Sequence, residues 1–167
     1  MMRESLDVFF MKIAMMYATR STCIRRKVGS VIVKDKIQLS AGYNGALSGF
    51  EHCCDNPDLC IRTKLNVKSG EMPEVCRSNH AEQNAIIHAV RNGVKINDST
   101  IYVTAKPCII CTKLLVASGI NRIVYFDEYS TGIDNDIANE ILKNTQVDIL
   151  ITEELQQFAS YLNILRR

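Results

Sequence analysis

The 167 residues carry 20 Lys and Arg against 18 Asp and Glu, a formal charge of +2 at neutral pH, and are 47% hydrophobic. That length and apolar content suit one domain, residues 1–167, with a proper core, and the near-even charge gives no electrostatic footprint for duplex nucleic acid. Seven cysteines, at 23, 53, 54, 60, 76, 108 and 111, are an odd number for a disulfide framework, so thiols serving as metal ligands are the expectation.

The opening MMRESLDVFFMKIAMMYATR has apolar residues at helical spacing interrupted by Arg3, Glu4, Asp7 and Lys12, which fits neither a signal peptide nor a membrane span. A cytoplasmic protein without a membrane partner is expected. The segment predicts an amphipathic helix to about residue 21, its stripe formed by Leu6, Phe9, Phe10, Ile13, Ala14 and Tyr17. VGSVIVKDKIQLSAGY then places two β-branched or apolar runs around KDK, as an antiparallel hairpin does. From Asn44 to Arg77 the chain is rich in Gly, Pro, Cys and charge, with no convincing period and four of the seven cysteines. A loop that long inside a compact domain is functional or is held by something else.

Beyond it, His80 to Asn92 predicts a helix stopped by Gly93, STIYVTA a strand, PCIICTKLLVASG a second helix, and NRIVYF a strand. IDNDIANEILKN follows as a helix, VDILIT as a strand and ELQQFASYLNILRR as a closing helix. Strands alternating with helices imply right-handed parallel crossovers, hence an α/β fold of three layers, α/β/α, around a mixed five-stranded sheet with an N-terminal antiparallel hairpin. The NRIVYF and VDILIT runs are expected to be buried on both faces.

Two helix starts carry unusual side chains. SNHAEQNAIIHAV puts His80 and Glu82 where a neutral cap would suffice, and PCIIC puts Cys108 and Cys111 three residues apart on one side of a first turn. His80, Cys108 and Cys111 make three zinc ligands, which leaves the fourth tetrahedral position open as in catalytic rather than structural sites. Free N–H groups and the positive end of the helix dipole favour thiolates there. Glu82, two residues from His80, is then the proton carrier. A lone HxE or CxxC is weak, but both in this order, the second after proline, match the signature of zinc-dependent nucleobase deaminases. The reaction expected is hydrolytic loss of ammonia, with Glu82 protonating first the ring nitrogen and then the departing amine.

The segments STCIRRKVGSVIVKD, GYNGALSGFEHC, CIR, SGE, EVCRSNHAEQNAI and IYVTAKPCIICTKLLVASGINRIVY resemble the deoxycytidylate (dCMP) deaminases of the cytidine deaminase superfamily over roughly residues 5 to 130. GYNG followed by GxxHC is the most specific part, and Leu47 stands where many relatives have proline. The resemblance implies conversion of dCMP to dUMP for thymidylate synthesis by a zinc-dependent homo-oligomer, often a hexamer, activated by dCTP and inhibited by dTTP. It assigns His80, Cys108 and Cys111 to zinc, Glu82 to proton transfer and Asn44 to the deoxyribose or base, although Asn-Gly is also a common turn pair. For the phosphate, Arg26 of the Arg25-Arg26-Lys27 cluster is the candidate, with Tyr129 second.

Cys23, Cys53, Cys60 and Cys76 are candidates for a second, structural zinc that would order the irregular stretch. His52 and Cys54 are spare in that scheme, and His88 is expected to be a packed or surface histidine. The alternatives are deamination of tRNA adenosine or of another cytosine nucleoside or nucleotide, and, outside catalysis, a structural zinc module for binding partners. Glu82 separates the last from the rest, because a structural site needs no carboxylate beside an open position.

Overall fold

The computed structural model describes residues 3–68, 71–128 and 134–164. Its main sheet has five strands in the order β2-β1-β5-β6-β7. The KDK hairpin is present: β1 (Gly29–Lys34) runs antiparallel to β2 (Ile37–Tyr43). Asp35 and Lys36 turn between them with φ of 51° and 66°, the left-handed pair whose twist matches that of the strands. β1 is also antiparallel to β5 (Ser99–Ala105), while β5, β6 (Ile120–Asp127) and β7 (Gln146–Ile149) are parallel. The expected mixed sheet is therefore observed.

Strand alternation sends side chains into two cores. Val31, Val33, Tyr102 and Val124 pack under α1 (Leu6–Ala18) and the closing α6 (Glu153–Tyr161). Ile32, Ile101 and Ile123 pack on the other face against Ala85 and Ala89 of α3 (Ala81–Arg91) and Leu115 of α4 (Ile109–Ala117). α5 (Asp134–Ile141) connects β6 to β7.

Two details differ from expectation. α1 stops at Ala18, and its buried residues are Val8, Phe10, Met11, Ala14, Met15 and Ala18, whereas Leu6 and Phe9 are 38% and 44% exposed. The helix is apolar on more than one side, so periodicity alone could not select the inward stripe, and unbranched methionines suit the gaps above the sheet. β7 is not buried on both faces: among the described residues it is an edge strand paired with β6 alone, and Val147 and Ile149 are 39% and 49% exposed.

The irregular stretch is closed at its neck by a two-stranded ribbon, β3 (Gly45–Ala46) against β4 (Ser78–Asn79). Between them lie 3-10 turns at Pro57–Leu59 and Pro73–Val75 and a four-residue helix, α2 (Ile61–Lys64).

Candidate active site

The two unusual helix starts meet. His80 precedes α3 in extended conformation, and its backbone N–H donates to the Gln83 side chain at 2.8 Å. Cys108 precedes α4 in the same way after Pro107, with Thr112 N–H donating to its carbonyl at 2.8 Å. α3 lies backbone-close on β2: a Cβ added to Gly42 would run into the Ala81 carbonyl and the Ala85 amide, and Ser40 Oγ donates to the Ala85 carbonyl at 2.7 Å. Glycine thus brings the helix that carries His80 and Glu82 down onto the sheet.

His80 Nδ1 is 3.5 Å from both Cys108 Sγ and Cys111 Sγ. All three donor atoms lie within 4.8 Å of one another, and among the described residues they are the only such group. A tetrahedral zinc with bonds of about 2.3 Å to sulfur and about 2.0 Å to nitrogen sets N···S near 3.5 Å, so the donors fit that ion in both chemistry and spacing. Hydrogen bonding with the Cys111 thiol, and then with His80, holds Cys108 far below the usual thiol range despite its burial, whereas Cys111 is pushed up, first by Cys108 and then by burial. Glu82 is only 4% exposed, and burial raises its proton affinity against the pull of His80. A carboxyl shifted that way accepts and returns a proton near neutral pH more readily than an exposed one.

His80, Glu82 and Cys108 border a cavity also lined by the irregular stretch and the Arg25-Arg26 loop, with Cys111 buried behind them. Asn44 lines it, and its amide clamps that loop: Oδ1 accepts from Val28 N–H and Nδ2 donates to the Arg26 carbonyl, both at 2.8 Å. The turn role and a cavity-facing position therefore coexist at Asn44. Arg26 also lines the cavity, with its guanidinium 2.6 Å from Asp127. Tyr129 lies outside the described residues.

Cys23, Cys53, Cys60 and Cys76 border the same cavity. They lie near one another, since the Cys53 thiol is raised by burial and then by Cys60, Cys23 and Cys76, but their sulfurs are not gathered as the His80 group is. Cys54 is exposed beside Asp55, and His88 packs its ring against the Ala41 carbonyl at 2.7 Å, as a surface histidine does. Arg62 and Lys106, which sequence reasoning did not single out, also line the cavity. Arg62 stands in the quoted CIR segment, but nothing in its local spacing shows that α2 folds back toward His80.

No helix among the described residues is long and apolar enough to cross a membrane.

A family model described as the cytidine and deoxycytidylate deaminase zinc-binding region matches residues 4–127. The deoxycytidylate deaminase of Mycobacterium phage D29 is 40% identical over 134 residues, covering 75% of this chain and 97% of that protein. ComE operon protein 2 of Bacillus subtilis is 36% identical over 149 residues, covering 89% of this chain and 72% of that protein. Among solved structures, dCMP deaminase from the cyanophage S-TIM5 in complex with dCMP and dUMP superposes with a TM-score of 0.69 at 27% identity, over 90% of this chain and 100% of that one. With the HAE and PCIIC segments joined at one three-donor centre inside the matched region, this chain belongs to the cytidine and deoxycytidylate deaminase family.

Proposed function

We propose that this chain is a zinc-dependent dCMP deaminase that converts dCMP and water to dUMP and ammonia. The observation that carries the reading is the buried Glu82 carboxyl beside a three-donor His80, Cys108 and Cys111 group that opens onto a cavity. The relatives' names and the dCMP and dUMP held by the S-TIM5 protein support the choice of base and sugar.

His80, Cys108 and Cys111 would hold the zinc, which when bound supplies Lewis acidity and lowers the proton affinity of water. Glu82 takes up a proton, delivers it to the cytosine ring nitrogen N3 and then carries a second to the leaving amino group. Asn44, with one N–H of its amide still to spare, donates to the deoxyribose or base, and Arg26 approaches the 5′-phosphate. The three layers exclude bulk water from Glu82, which keeps the proton on this path.

The whole chain, residues 1–167, acts as one deaminase domain into which the stretch 44–77 is inserted. A second, structural zinc on Cys23, Cys53, Cys60 and Cys76 orders that stretch; that all four border the same cavity supports it. From the family resemblance we take a cytoplasmic homo-oligomer, hexameric by analogy, that supplies dUMP for thymidylate synthesis under activation by dCTP and inhibition by dTTP.

Ammonia release from dCMP, measured beside cytidine, dCTP and a tRNA substrate, with and without added dCTP and dTTP, tests the proposal. Turnover of dCMP alone, sensitive to the triphosphates, is expected. Activity on another member of the panel but not on dCMP would refute the substrate, and inactivity on all four would refute the enzyme.

A further inference from the structure

Asn84 stands in the same helix start as His80 and Glu82 but is not among the residues that line the cavity. Its backbone N–H donates to the His80 carbonyl at 3.1 Å and closes the first turn of α3. Both ends of its side-chain amide are committed. Nδ2 donates to the Tyr43 carbonyl at 2.7 Å, and Oδ1 accepts from Asn79 Nδ2 at 3.1 Å. Asparagine is a poor helix former because its amide competes with the helix backbone, so these contacts rather than propensity account for it here.

The Tyr43 carbonyl belongs to the peptide unit whose N–H is that of Asn44. That N–H donates to the Val28 carbonyl at 3.1 Å. A planar peptide gripped at both its oxygen and its N–H has little freedom to tilt, so Asn84 and Val28 together fix the plane from which the Asn44 side chain departs. On the other side of Asn44, Gly45 of β3 pairs with Asn79 of β4, and Asn79 is the residue whose amide Asn84 holds. Both chain neighbours of Asn44 are therefore tied to Asn84, Tyr43 directly and Gly45 through Asn79.

The helix supplies its own comparison. His88, one turn beyond Asn84, has Nδ1 2.7 Å from the Ala41 carbonyl, and Ser40 Oγ donates to the Ala85 carbonyl at 2.7 Å. These ties join the same helix to the same strand. Of the three, the Asn84 tie is the one that reaches the peptide of a cavity-lining residue.

We propose that Asn84 is a positioning residue for the deamination: it sets the Asn44 amide at a fixed place relative to Glu82 and His80, two and four residues back on its own helical turn. This rests on the reading of the chain as a dCMP deaminase in which Asn44 meets the deoxyribose or base. Glu82 serves the ring nitrogen and Asn44 holds the same molecule, so the two must keep one spacing. A misplacement of about 1 Å between such groups costs on the order of 100-fold in rate.

The test is steady-state kinetics on dCMP of the zinc-loaded full chain, for the wild type, Asn84→Ala, His88→Ala, Asn44→Ala and the Asn44→Ala, Asn84→Ala double variant. Asn84→Ala should lower kcat/KM by about 10- to 100-fold. His88→Ala removes a tie of the same kind and should stay within about twofold of wild type. Because Asn84 acts through Asn44, the double variant should be within about twofold of Asn44→Ala alone. Wild-type kcat/KM in Asn84→Ala, an equal loss in His88→Ala, or losses that multiply in the double variant would each overturn the proposal and leave Asn84 a general brace of α3. If Asn84→Ala does not fold, Asn84→Asp decides, since it keeps an acceptor for Asn79 and loses the donor to Tyr43: wild-type kcat/KM there overturns the proposal. A wild type that does not turn over dCMP refutes the deaminase reading, and the proposal with it, before any variant is made.

Discussion

One wall of the cavity, carrying His80, Glu82 and Cys108, is formed by two helix starts seated on a buried sheet; the wall facing it, residues 44–77, has among its described residues a two-residue strand, two 3-10 turns and one turn of α-helix. Both walls present cysteines to the same space. On the first, backbone geometry alone brings three donors within 4.8 Å. On the second, side chain to backbone bonds such as those of Arg25 and Arg62 do the positioning, and the thiols stand further apart. A regular scaffold can thus fix a donor set through its backbone, whereas an irregular segment is positioned through its side chains.

If the first wall depends on close backbone contact with the sheet, adding one carbon at that contact should damage it most. Gly42→Ala would drive a Cβ into the Ala81 carbonyl and the Ala85 amide, lifting the helix start that carries His80 and Glu82. A loss of about 3 kcal/mol is expected in denaturant titration, with turnover down roughly 100-fold as Glu82 is displaced. Wild-type stability in this variant would break the comparison on its rigid side.

The irregular side is probed by Cys60→Ser, which should release about one zinc per chain, loosen the 44–77 stretch to limited proteolysis and leave the His80 centre loaded. An unchanged zinc count would remove Cys60 from any second site.

A smaller effect is expected far from either wall. Asp7 accepts from Arg122 Nη1 and Nη2 at 2.9 and 2.8 Å and from the Tyr102 hydroxyl at 2.6 Å, tying α1 to β5 and β6. The bond from Arg122 is the largest of the influences on the Asp7 carboxyl, which is held below its ordinary value of 3.8. A lowered carboxylate pKa stabilises the fold above the unfolded value and ceases to do so as pH falls through the folded one. Asp7→Asn should therefore cost about 1 kcal/mol at pH 7, a modest figure because the pair is partly exposed, and the gap from wild type should close as pH drops below about 4. Turnover should be unaffected, and a gap that persists at low pH would assign the cost to packing instead.

Much of this was legible in the residues themselves. The KDK turn, the β-branched runs beside it and the two helix starts are local signals, and local geometry decided them. The inward stripe of α1 was not legible, because LDVFFMKIAMMYA is apolar nearly all round and only the sheet selects Met11 and Met15. VDILIT looked like a central strand because hydrophobicity does not say whether a neighbour lies on both sides. Arg62 was hidden for a related reason. Its place depends on which carbonyls and which cavity a non-periodic segment folds toward, and no spacing rule encodes that.

The central claim is that Glu82 moves the protons of a deamination at the His80, Cys108 and Cys111 centre. Zinc content and ammonia release from dCMP, measured on the same samples of wild type and Glu82→Gln, test it most directly. The account predicts that Glu82→Gln keeps the zinc held by His80, Cys108 and Cys111 and its fold while turnover falls by about 1,000-fold. Turnover within about threefold of wild type, a difference too small for the loss of an acid–base group, would contradict it.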